Sequence, residues 1–312
     1  MRRIMNEPLR PTFRKAIVPA AGLGTRHFPA SHAVKKELFP VVGPDGIARA
    51  LIHYHLMELV DAGLEQICII VQPGDEKPIR DYLAGPDDAY LKRLGKYPAL
   101  RAEADRMRDL SQRVEFAIQR EQEGYGHAVY QTRKFAGNEM ILLCLGDHLF
   151  RGSPISPYRE LAGMCAISNG KSVSAVNRIS PAELRGFGTI AGQRREENRR
   201  LIDVSLIIEK PPVDVAHTKL HVDGLPEGTF LGWFGMHLLA PSIYEILEEM
   251  IASNTRDNGE FQLTRAQEIQ RQREGYLALE MLDAQRFDFG TPDDFVSSVQ
   301  AFAGKGVAQA SR

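Results

Sequence analysis

The residues with the clearest chemical potential stand in one early stretch, "VPAAGLGTRHFPASHAVKKELFPV", from Val18 to Val41. Gly22 and Gly24 follow the β-rich run "KAIVPA". Glycines placed there let backbone N–H groups approach a phosphate, and the start of the next helix adds a favourable partial charge. The same glycines would also serve a tight packing turn. Arg26, Lys35 and Lys36 shift the reading, because a small-residue turn followed by several cations suits a polyphosphate. Two standard phosphate loops are excluded. The Walker pattern needs a longer gap between glycines and a Gly-Lys-Ser/Thr ending, and the dinucleotide fingerprint needs a third glycine where this chain has His27. Asp45 has the spacing of a ribose-binding acid but lies in the turn "GPDG", so a nicotinamide enzyme is disfavoured.

Farther along, Asp147 ends the apolar run "MILLCLGD", where a carboxylate is expensive unless it faces a cleft or is paired. Asp288 precedes Phe289-Gly290-Thr291 at a similar strand-to-helix junction, where it would equally serve as a helix-start acid. Mg²⁺ takes a few carboxylates and keeps its other positions for phosphate oxygens and water, so two separated aspartates suffice for it. Gln119, ending "VEFAIQ", carries an amide able to pair a donor and an acceptor on a pyrimidine edge, and the glycines of "GYGHAV" bring backbone groups near. Glu209 and Lys210 sit together in "EKP", as a ligand pair or as an edge-strand ion pair. The histidines do not form a metal site: His53 and His55 are two apart on a helix, and His27 and His32 are not one turn apart.

These groups need a scaffold, and 312 residues amply exceed what a core requires. A formal net charge of -1 with no large basic stretch gives nucleic-acid binding no electrostatic support. Cys68, Cys144 and Cys165 are odd in number and set in apolar runs, so they read as buried thiols of a reducing cytosol. The start lacks the apolar core of a signal segment, and no run approaches the roughly 18 apolar residues of a membrane span. A soluble, cytoplasmic protein is expected. "KAIVPA", "ARALIHYHLMELVDAG", "EQICIIV" and "EKPIRDYLAG" alternate strand and helix patterns, the order of an α/β fold. A polar helical insertion over Pro86 to Arg113 follows, and the uniformly apolar "MILLCLGD" predicts a central strand covered on both faces. In the second half, "FGTIAG" and "LIDVSLIIEK" flank the charge run "RREENRR" as strands flank a solvated hairpin tip. The ends, 1–12 and 304–312, should be loose around one domain over 13–303, with halves at 13–150 and 151–303.

The ordered set "AAGLGTR", "KELFPV", "GYGHAV", "GD" after an apolar strand, "EKP", "NGEFQLT" and "FDFGT" resembles the sugar-1-phosphate nucleotidylyltransferase family, most of all its bacterial glucose-1-phosphate uridylyltransferase branch. The resemblance spans about Lys15 to Ala303. It implies a Rossmann-like mixed, mainly parallel sheet flanked by helices, of the nucleotide-diphospho-sugar transferase (GT-A-like) kind, with an added hairpin for the sugar. It also implies a Mg²⁺-dependent reaction of UTP with glucose 1-phosphate, releasing pyrophosphate. In that reading Ala20, Ala21, Gly22, Gly24, Gln119, Gly124 and Gly126 hold the nucleotide. Arg26 neutralises the departing pyrophosphate, Lys36 contacts the reacting phosphates, and Lys35 faces solvent. Asp147 and Asp288 match the metal-binding aspartates. Gly188 and Glu209 contact the sugar, Lys210 its phosphate, and Trp233 is core more than a sugar platform. The attacking oxygen is already anionic, so alignment and cations carry the catalysis and no general base is needed. A homodimer or homotetramer is implied by resemblance alone.

The chain also departs from that pattern. Ser31-His32 and Lys35 stand where the branch has Thr-Lys and then a proline, and the metal strand ends in Gly-Asp where Pro-Asp is usual. "DFGT" resembles the thymidylyltransferases equally. A methyl group is worth only about 1–3 kcal/mol of discrimination, so a thymidylyltransferase, or a uridylyltransferase for another sugar, stays open. A nucleotide-sugar-binding regulator without turnover is the third alternative.

Overall fold

The computed structural model describes residues 14–95 and 97–304, so the ends expected to be loose lie outside the described residues but for Gly304. The strands run in chain order as β1 (Lys15–Pro19), β2 (Pro40–Val42), β3 (Ala48–Ala50), β4 (Gln66–Val71), β5 (Val114–Ile118), β6 (Ile141–Cys144) and β7 (His148–Gly152). They continue as β8 (Val173–Ile179), β9 (Thr189–Arg194), β10 (Leu201–Ile208), β11 (Phe230–Leu239), β12 (Leu277–Glu280) and β13 (Ala284–Asp288). Nine form one sheet in the order β5-β4-β1-β6-β11-β8-β12-β10-β9. The first four are parallel neighbours, the product of strand–helix–strand crossovers. β11 is antiparallel to both β6 and β8, and β12 is parallel to β8. β10 and β9 follow as an antiparallel pair.

The sheet is therefore mixed, and the expectation of a mainly parallel one is corrected. The run of parallel neighbours is broken at β6, because β11 enters beside it in the opposite sense and β9 and β10 are joined by a hairpin; beyond it only β8 and β12 pair parallel. β9 also reaches across to β11 through Leu231↔Ile190 and Gly232↔Thr189. Two small ladders stand outside the sheet, β2 with β3 and β7 with β13.

Period-two alternation decides which side chain enters which core. Ala16, Val18, Ile67, Ile69, Leu142 and Cys144 pack with Ile52, Leu56, Leu59, Ile79, Leu83 and Leu110 from the helices Leu51–Asp61, Glu76–Ala84 and Pro98–Arg113. The alternate residues Ile17, Cys68, Ile141 and Leu143 face the other way, onto Ile243, Leu247, Leu263 and Ala266 of the helices Ser242–Ala252 and Leu263–Glu274. Helices on both faces explain why β6 is apolar at every position and why all four of its residues are buried. Cys68 and Cys144 are buried as expected, and Cys165 is half-buried. Burial pushes the Cys68 thiol up to about 12. No helix among the described residues is long and apolar enough to cross a membrane.

β1 and the turn after β6 approach so closely that a Cβ on Gly146 would lie 2.3 Å from the Pro19 carbonyl oxygen. Gly146→Ala must therefore push backbone from backbone. We expect a loss on the order of 2 kcal/mol or more in urea unfolding, by overpacking; an unchanged midpoint would refute the close approach.

Candidate active site

The loop from Pro19 leads through Ala20 and Ala21, each 4% exposed, to Gly24, whose φ of 66° lies in the left-handed region. That conformation is open to glycine without a Cβ penalty. It bends the chain into the short turn Thr25–His27, and Ser31 Oγ donates to the Gly24 carbonyl at 2.8 Å. His27, standing where a dinucleotide loop would have glycine, is buried edge-on to the rings of Phe39 and Phe295. Its Nε2 lies 2.9 Å from the Phe289 carbonyl oxygen, tying the first turn to the segment after β13. Lys36 opens the turn Lys36–Leu38, and its Nζ bonds Asp147 Oδ2 at 2.7 Å. Lys35 does not face solvent as expected: it pairs with Asp75 at 2.5 Å, because the next loop brings that carboxylate against it.

Asp147 stands in the turn between β6 and β7, immediately before His148, and Asp288 ends β13, whose antiparallel register with β7 sets Asp288 opposite His148. Phe289 N–H donates to the Asp147 carbonyl at 2.8 Å and closes the junction. A Cβ built on Gly290 would stand 2.9 Å from Asp288 Oδ1, 3.2 Å from Asp147 Oδ2 and 3.4 Å from Arg26 Nη2, so these groups converge on one point. His148 lies between the carboxylates, with Nδ1 2.8 Å from Asp147 Oδ1 and Nε2 3.2 Å from Asp288 Oδ2. Burial works against its charge, but the two aspartates outweigh it and raise the imidazole to about 9, so it is an imidazolium at neutral pH. For Asp147, burial opposes ionisation, and His148 and Lys36 together hold the carboxyl well below its usual range. Asp288 is likewise lowered against its burial, by His148 and by the N–H of Gly290.

Two hollows meet at Asp147. One, of ≈ 450 Å³, is lined by Ala20, Ala21, Gly22, Lys36, Gln119 and Gly124 among others. Gln119 is 3% exposed, and its Nε2 donates to the Gly124 carbonyl at 3.1 Å. Gly124 has a φ of 112°, and a Cβ there would lie 2.8 Å from Glu260 Cβ. Gly126 does not line this hollow: its N–H is committed to the Phe261 carbonyl at 2.7 Å. Gly24 is likewise outside it, one turn along.

The second hollow, of ≈ 550 Å³, collects Arg26, Gly188, Glu209, Lys210, Trp233 and Asp288. Thr264 Oγ1 donates to Glu209 Oε2 at 2.6 Å, and Lys210 Nζ lies 3.8 Å from Glu209 Oε1 with its side chain 57% exposed. Trp233 is both core and wall. It is buried yet lines the hollow, and a Cβ on Gly188 would strike its indole at 2.5 Å. Arg286 stacks over Phe187 with its Cζ 4.1 Å from the ring centroid, and donates to the Trp233 carbonyl. His53 and His55 stay out of both hollows, bonded to the Tyr82 and Tyr158 hydroxyls, and burial lowers them to about 4 and about 3.

Sequence reasoning missed His148, Glu37, Thr264 and Arg286. His148 had one signal, its place beside a carboxylate at a strand end. Glu37 is 1% exposed with Oε1 lacking a hydrogen-bond partner, 3.9 Å from Lys36 Nζ. Burial, helped by Asp147, raises its carboxyl to about 7 against the pull of Lys36 and Lys35.

The fold and this cleft define an α/β protein in which two hollows meet at one centre lined by cations and carboxylates. More particularly, the chain belongs to the nucleotidyl transferase family, whose model matches residues 15–304. It is 29% identical over 292 residues to a UTP–glucose-1-phosphate uridylyltransferase of Staphylococcus saprophyticus, covering 93% of this chain and 92% of that one. It is 29% identical over 299 residues to the enzyme of the same name from Bacillus subtilis, covering 93% and 91%. A UDP-glucose pyrophosphorylase structure complexed with UDP-glucose shares the fold with a TM-score of 0.75 at 23% identity, over 94% of this chain and all of that one. A UTP-bound structure from Acinetobacter baumannii gives 0.74 at 23% identity, over 95% of each chain.

The unfolded Glu37 titrates in the ordinary carboxylate range and the native one near 7, so the native state holds an extra proton between those values and stability falls as pH rises through that window. Glu37→Gln removes this loss. Urea unfolding should show the variant gaining about 2–3 kcal/mol on wild type between pH 5 and pH 8, whereas a gap independent of pH would mean that Glu37 ionises normally.

Proposed function

We propose that this protein transfers a uridylyl group from UTP to glucose 1-phosphate, giving UDP-glucose and pyrophosphate. The observation that carries the reading is the meeting of the two hollows at Asp147, with Lys36 on one side and Lys210 on the other. The names of the relatives in Staphylococcus and Bacillus support the same substrate pair. A phosphate oxygen of the sugar phosphate attacks the α-phosphorus of UTP, and the bond from that phosphorus to the bridging oxygen breaks. The electron pair leaves with pyrophosphate, so no proton needs to be removed from the nucleophile.

In this reading Gln119 and the backbone at Ala20, Ala21 and Gly124 receive the uracil, while Gly22 leaves room for phosphates. Gly24 and Gly126 act through chain conformation and packing, since neither lines the hollow. Lys36 turns from Asp147 to the phosphates, and Arg26 draws off the pyrophosphate charge. Lys210 holds the sugar phosphate, with Gly188 and Glu209 at the sugar. Asp147 and Asp288 fit Mg²⁺ by their donor chemistry: two hard carboxylates converge on one point, paired to cationic groups whose place a divalent ion could take. Among the described residues no set of three or more His, Cys, Asp or Glu is arranged around a metal, so phosphate and water would complete the shell. When bound, the ion supplies charge neutralisation for the phosphates. The same reading makes the protein a cytoplasmic homodimer or homotetramer.

Pyrophosphate release, measured with Mg²⁺ across UTP, dTTP and the purine triphosphates against several sugar 1-phosphates, should single out UTP with glucose 1-phosphate. Equal rates with dTTP, or silence with nucleotide still bound, would sink the substrate assignment or the turnover respectively. Asp147→Asn should lower turnover at least about a hundredfold with the fold intact, and chelation of the metal should stop wild type.

A further inference from the structure

The charge run "RREENRR", expected to be no more than a solvated tip, closes a third and separate hollow. β9 starts beside Gly188 in the cleft and ends at Arg194, roughly 20 Å away at the rise of an extended strand. There a hollow of ≈ 200 Å³ is lined by Arg178, Arg194, Arg199 and Arg200, with Glu280 as the one acid in its wall. Glu280, 1% exposed, accepts from Arg178 Nε at 2.7 Å and pairs with Arg194 Nη1 at 2.6 Å. Arg200 pairs outward with Glu160 at 2.7 Å. Arg199 has no ion pair among the described residues.

Arg194 makes the hollow more than a basic patch. Its side chain is only 7% exposed, and Nε and Nη1 are satisfied by the carbonyls of Asp223 and Arg199. Nη2 is buried without an acceptor. A desolvated guanidinium N–H left unpaired is costly, and an anionic oxygen is the acceptor that matches its fork. Glu280 and Glu160 leave two of the four positive charges unbalanced, which suits a phosphoryl dianion better than a single carboxylate. The volume is less than half that of the nucleotide hollow, so it admits a phosphoryl group on a small body and not a nucleotide.

We propose that this hollow binds a phosphoryl group, as free inorganic phosphate or as the phosphoryl end of a small metabolite, at a site independent of the cleft. Calorimetric titration of the full chain with inorganic phosphate and with glycerol 3-phosphate tests it in wild type, in Lys36→Ala and in the pair Arg178→Ala with Arg199→Ala. Arg178 and Arg199 are exposed, and a circular dichroism melt checks that the paired variant folds. Binding should survive Lys36→Ala and weaken at least tenfold in the paired arginine variant, with Arg199→Lys intermediate. Tighter binding of glycerol 3-phosphate than of phosphate would assign the metabolite, and the reverse the free ion. No binding to wild type, loss of all binding in Lys36→Ala, or unchanged binding in the folded arginine pair would overturn the proposal.

Discussion

Placing two carboxylates side by side at the bottom of a cleft is the constraint on which the rest of this molecule turns. Asp147 and Asp288 repel each other and lose water, and both effects must be answered by cations held at fixed places. Lys36 and the His148 imidazolium answer them at 2.7 Å and 2.8 Å from Asp147. Each partner comes from a different part of the chain. Lys36 rides on the connection after β1, Asp147 on the turn between β6 and β7, and Asp288 on a strand laid against β7. The short β7–β13 ladder therefore matters beyond its size, because a slip of one residue would turn Asp288 away from His148 and take from it the cation that answers its charge.

The sheet divides the labour around this centre. Its parallel half ends in loops that line the first hollow, as expected at the carboxyl ends of parallel strands. Its antiparallel half supplies Gly188 and Glu209 from the two sides of one hairpin, with Trp233 from β11 behind them. Small residues act here by what they leave unfilled. Gly188 gives its volume to the indole of Trp233, and Gly124 gives way to Glu260 and Phe261.

Much of this was legible in the chain. Alternation in "KAIVP", "QICIIV" and "ILLC" marks strands with two covered faces, and the glycine–cation stretch marks the cleft. The hairpin around the charge run was legible too, since two strand patterns so closely spaced have little choice but to pair. Strand direction beyond β6 was not, because side-chain alternation is the same in parallel and antiparallel strands. The fates of single polar residues were also hidden. Lys35 and Lys36 are neighbours of one type, yet one pairs with Asp75 and the other with Asp147, and only the tertiary path separates them. Glu37 reads as an ordinary surface acid in "KKELFP" and is buried nonetheless. The N–H of Gly126 reads as free for a ligand, and Phe261 claims it.

One feature of the sheet governs how the cleft can move. The first and second halves of the chain are not two bodies joined by a linker: β6 and β11 are paired from Met236↔Cys144 to Leu239↔Ile141 along the buried seam between them. A hinge at that seam would have to break ladder hydrogen bonds in a dry core, so the halves are locked at a fixed distance. Any change in the width of the cleft must then come from the loops at its rim, with the floor as a rigid anvil.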